Sequence, residues 1–193
     1  MTAADLATIG RRMGFERWAA LRTFETFGGW IESVPEPEVK RLLGTQCPIF
    51  AWHAQLWQER IPAVGELTPE SATRPPSPGG AAFIDAVQAP ADTILRLTGA
   101  FRVLVAHHVA AHSAWRGATD PMVDAPTARV LDLIVRDELD AWRAGDAMLR
   151  SLIRTADDAR RAAHHQGELE ALLVSAREAS PAGAAARGTA TRS

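Results

Sequence analysis

The chain has 193 residues, 47% of them apolar, and a formal net charge of −2 from 21 basic and 23 acidic side chains. That is enough for one domain with a proper core, and the scattered Lys and Arg exclude the basic face of a nucleic-acid-binding protein. The single cysteine, Cys47, excludes an internal disulfide and a thiolate metal cluster.

No stretch reads as a membrane span. Met1 to Gly14 carries Asp5, Arg11 and Arg12 without the apolar run of a signal peptide, so a reducing cytoplasm is the expected location. Period-two runs of β-branched residues are missing, while apolar residues recur at three-four spacing. The expected fold is therefore all-α.

The spacing predicts a first helix over Phe15 to Ile31, with an earlier start near Ala3. Trp18, Leu21, Glu25 and Gly28 share one face of it. Gly28-Gly29 weakens its end, and Pro35 and Pro37 punctuate the gap that follows. A second helix starts near Glu36, with Pro37 in a first turn where its missing N–H costs nothing, and runs through Leu43, Phe50, His53 and Trp57 to about Arg60. Ala63 to Ala91 is a long polar connector broken by Pro69, Pro75-Pro76, Pro78 and Pro90, with a short helix expected over Ala81 to Val87. A connector of this length suits a crossover between the two ends of a helical bundle.

The third helix starts at Asp92 as N-cap and reaches Arg116, where Gly117 and Pro121 stop it. Asp124 caps the fourth, with Pro126 in its first turn. Its stripe reads Leu131, Ile134, Glu138, Ala141, Gly145, Met148, Leu152. A more polar helix follows, from about Ala156 to Arg177, with Leu169, Leu172 and Leu173 as its docking cluster. Ser180 to Ser193 has no large apolar residue and is expected to stay disordered. The expected organisation is a helical domain over 1–178 and a disordered tail over 179–193.

Four of these helices carry metal-type residues on apolar stripes: Glu25, His53, the pair His108 and His112, and Glu138. Burying a lone carboxylate or imidazole is costly unless something pairs with it, so these side chains are expected to meet, at a metal or in a hydrogen-bond network. His108 and His112 stand one turn apart and project from one face, a spacing that can chelate a divalent ion. Val109 removes the general base of a metalloprotease HExxH motif. Glu138 has Asp137 and Asp140 beside it for the solvent face, so it reads as placed inward; Glu25 has Arg22 as an alternative partner at the edge of the core. Trp18, Trp57 and Trp142 read as core, and His164 and His165 as surface. Phosphate-loop and nucleophile-elbow motifs are missing.

Helix, helix, long crossover, helix, helix, with Glu on the first and last, resembles the ferritin-like superfamily of di-iron carboxylate four-helix bundles, over roughly Phe15 to Leu152. The segment around Asp137-Glu138 is similar to that superfamily's fourth helix, with Ala141 where its His would stand. His53 stands at the second helix's His position, with Phe50 at the matching Glu. Each Glu-x-x-His motif is thus half present, and a six-ligand site cannot be assembled. The resemblance implies a ferritin-like bundle with at most one reduced metal centre held by Glu25, His53, His108, His112 and Glu138. The expected function is ligand or partner binding, pairing as a homodimer, or a structural role. The alternative is an iron- or manganese-dependent oxidase or oxygenase. No nucleic-acid or membrane partner is expected.

Overall fold

Helix-favouring stretches set off by proline and glycine dictate the element order. A computed structural model describes residues 3–178, with side chains from 6 to 176. The chain is all-helical: α1 (Ala3–Ser33), α2 (Pro37–Arg60), α3 (Pro69–Ala72), α4 (Pro78–Gln88), α5 (Thr93–Leu97), a π-helical segment (Thr98–Val105), α6 (Ala106–Ala118), α7 (Ala125–Leu152) and α8 (Ala156–Glu178). Among the described residues there is no strand. One isolated bridge joins Val64 to Leu67 across Gly65, whose φ of 57° lies in the left-handed region that suits glycine. The tail expected over 179–193 lies outside the described residues.

Side-chain caps start most of these helices, as the local chemistry requires. Asp92 accepts from the Leu95 N–H at 3.1 Å and Asp124 from the Thr127 N–H at 3.2 Å. Thr68 and Ser71 form a capping box on α3. Thr155 and Asp158 form the same reciprocal pair on α8, each backbone N–H meeting the other's side chain at 3.0 Å.

α1 runs through Gly28-Gly29, as expected, to Ser33; Phe27 and Trp30 on either side are buried and tertiary burial outweighs glycine's helix penalty. The connector holds the short helix expected there as α4, which buries Phe83, Ile84 and Val87, and also α3, which was not expected. The third helix is interrupted by the π segment, which the three-four pattern did not reveal. By length and composition alone the stretch Thr93–Ala118 could cross a membrane, contrary to expectation: an 18-residue run within it has a mean hydropathy of 1.2, and half of that run is buried in the fold. A buried core helix has the same length and composition.

Contacts divide the chain into two compact units, the chain up to Arg74 with Val105–Gly145, and Pro75–Leu104 with the chain from Asp146 onward. In the first, α1 packs along α2. Met13, Glu16, Ala20, Thr23, Phe27 and Trp30 fall at three-four spacing along α1, and all but the partly covered Glu16 are buried. On α2 the matching stripe is Val39, Leu43, Gln46, Phe50, His53 and Trp57, buried throughout. Met13, Trp57, Val130, Leu131 and Ile134 form one core cluster, with Trp115 packed against it. α3 lies so close on α1 that a Cβ on Gly14 would collide with the Ala72 carbonyl.

In the second unit, α8 packs on α4 and α5 and buries Ala162, Leu169 and Ala176. Leu169 docks as expected. Leu172 is 43% exposed, since it lies off that seven-residue stripe.

Candidate polar core site

The site grows from four apolar stripes that each admit a polar residue. α1 brings Glu16, α2 His53, α6 His108 and His112, and α7 Glu138; all five border one small cavity, as do Phe50 and Trp57. His112 is the hub. Its Nδ1 lies 2.9 Å from Glu138 Oε2 and 3.1 Å from Oε1, and its Nε2 lies 3.2 Å from Glu16 Oε2. An ionised carboxylate only accepts hydrogen bonds, so both ring nitrogens are donors and the ring is an imidazolium held between two carboxylates. Burial alone would push its pKa down. The charge and hydrogen bond of Glu138, joined by Glu16, outweigh that and raise it to about 10.

Glu138 is pulled both ways. Burial pushes its carboxyl up, with Glu16 and Asp137 adding repulsion, while His112 draws it back down. With two carboxylates on one imidazole, the ring is the group that holds the proton. His108 approaches the same carboxylate, Nδ1 to Glu138 Oε1 at 3.7 Å, beyond hydrogen-bond length. Burial, with the His112 charge beside it, keeps His108 well below the usual histidine range and hence neutral.

His53 is bound differently. Its Nε2 faces Asp137 Oδ2 at 3.2 Å, and its buried Nδ1 has no hydrogen-bond partner. Burial pushes its pKa down to about 4, against the pull of Asp137. The ring is therefore neutral near pH 7, with the proton on Nε2 and a lone pair on Nδ1.

Aromatic rings wall the site. Trp57 tilts against His112 with centroids 5.7 Å apart and stacks on Trp115 at 5.1 Å and 3°. The Arg12 guanidinium lies over the outer face of Trp115, 3.5 Å from the ring centroid, a cation–π contact that seals this side. Phe50 meets His53 edge-on at 5.4 Å.

Of the residues singled out from sequence, His53, His108, His112 and Glu138 come together here. Glu25 does not: its side chain is 50% exposed and bonds Arg22 at 2.7 Å. The inward face of α1 is rotated from the one expected, and Glu16 occupies it. The aromatic residues Trp18 and Phe24 suggested the wrong phase, because the true inner face is built of Met13, Ala20 and Thr23 as well as Phe27. Glu16 was legible only as the member of that series four residues before Ala20. Asp137, expected to face solvent, is half turned in to His53. Trp142, expected in the core, is 38% exposed, and His165, expected on the surface, is mostly covered beside Gly99.

Among the described residues no group of three or more His, Cys, Asp or Glu side chains is set to hold a metal ion. Both nitrogens of His112 and one of His53 already face carboxylates. Comparison with models of known protein families, with curated proteins and with solved structures finds no match for this chain.

Proposed function

We propose that this chain is a divergent ferritin-like helical-bundle protein that lacks a full di-iron site and acts as a ligand- or partner-binding or structural protein. The observation that carries this reading is the His112 clamp. The imidazolium supplies, from the chain itself, a positive charge for the buried carboxylate of Glu138 and the partly covered one of Glu16. The residues do not fit a six-ligand di-iron site, since Phe50 and Ala141 stand at two ligand positions. Four helices each contributing a polar side chain to one cavity agree with the superfamily reading, as does the long chain between α2 and α5.

The test is the metal content of protein purified without a histidine tag, together with its Glu138→Ala and His53→Ala variants. The expected result is far less than one Fe, Mn or Zn per chain, and no uptake of ferrous iron without oxygen. One metal per chain, abolished by both substitutions, would replace this reading with a second: an iron- or manganese-dependent oxidase or oxygenase with a reduced centre. What favours that second reading is the unpartnered Nδ1 of His53, a residue that borders one cavity with Glu16, His108 and Glu138.

A further inference from the structure

His53 Nδ1 is one of four buried side-chain polar atoms without a hydrogen-bond partner among the described residues, with Gln46 Oε1, Arg60 Nε and His165 Nε2, and it belongs to a residue that lines the polar core cavity. Asp137 takes the Nε2 proton of His53, which fixes the tautomer and leaves a lone pair on Nδ1. That atom is fully buried and lacks a hydrogen-bond partner, in a side chain that is 1% exposed. An unsatisfied buried acceptor is costly, so a group that donates to it is strongly favoured.

The space beside the ring is the right size for such a donor. The cavity offers ≈ 10 Å³ to a water-sized centre, at the lower end of the roughly 10–15 Å³ that one water needs. Its walls carry acceptors. Glu16 and Glu138 each have oxygens able to take more than the bond given to His112. The donor it holds must be no larger than one heavy atom and must carry at least two hydrogens.

We infer that this cavity is a binding site for a single water-sized hydrogen-bond donor, which gives one hydrogen to His53 Nδ1 and the other to a carboxylate of Glu16 or Glu138. The occupant is a long-lived internal water that completes the polar core of the chain without metal. A buried water that donates to two polar partners is costly to remove, so it exchanges slowly with bulk solvent. The site is independent of what the chain binds elsewhere.

The test is solution NMR of the full-length protein labelled with nitrogen-15 histidine, on samples whose metal content has been measured. The His53 ring is expected as the Nε2–H tautomer, with a cross-relaxation peak from a long-lived water to its carbon-bound protons. Ala20 borders the same cavity. Ala20→Val fills it and should abolish that peak while the His112 ring N–H signals remain. Should that variant not fold, Ala20→Cys, with one added heavy atom, takes its place. A missing water peak in the parent protein, a peak that survives the filled cavity, or xenon binding there as in a dry void would each overturn the assignment. So would one metal ion per chain at His53. Loss of the His112 ring signals with the water peak intact would instead count against the clamp.

Discussion

At His112 the energetics of single residues are set by pairing rather than by burial. Glu138→Ala would leave a buried imidazolium with only Glu16, and is expected to cost about 3–5 kcal/mol in urea unfolding. Adding His112→Leu to it should recover much of that loss, because the buried charge leaves with its partner. The same groups set a pH optimum. His112 is raised to about 10 against an ordinary 6.5. Its contribution is fully present below pH 6.5 and is lost as pH rises through 10, where the folded state gives up the proton. His53, lowered to about 4, acts in the opposite sense. Between pH 6.5 and 4 the unfolded chain takes up a proton that the folded ring refuses, so stability falls as pH falls. His108 adds to that acid limb. Unfolding midpoints measured from pH 4 to 10 should therefore peak near neutrality; a flat profile would contradict the clamp.

The helices themselves were largely readable from sequence because caps and prolines act locally. Asp92, Asp124 and Pro37 mark starts that any neighbourhood would respect. Helix phase is a different matter, since it depends on what each face meets. α1 could turn Glu25 or Glu16 inward on sequence grounds, and only the packing of α2 and α6 selects Glu16. The π segment is similar, its extra-wide turns being tolerated because Leu97, Phe101 and Leu104 around it are buried. Two glycines of α1 separate local from tertiary effects. A Cβ at Gly29 meets nothing within 4 Å, so Gly29→Ala should raise stability by about 1 kcal/mol. Gly14→Ala should lower it by about 1–3 kcal/mol, because the backbone of α3 lies in the way. Thermal unfolding of the two variants, expected to shift in opposite directions, checks both.

For the whole molecule, contacts divide the chain into two compact units. Leu169 anchors the second and is buried to 1%. Leu169→Ala is expected to cost about 2–5 kcal/mol there, seen as faster hydrogen exchange in α4, α5 and α8 by mass spectrometry. Uniform acceleration along all helices would show instead that the chain opens as one body. Composition and periodicity by themselves determined an all-helical chain, its helix boundaries to within a turn at most ends, and the presence of His53, His108, His112 and Glu138 on apolar stripes. Those are properties of neighbours a few residues apart. Which carboxylate of α1 closes the site, how Asp137 turns in to His53, and that His112 lies between Glu16 and Glu138 depend on atoms brought together from positions 16, 53, 112, 137 and 138. Only tertiary packing decides these, because the energy of a buried charge is set by the groups across the core from it and not by its place in the chain.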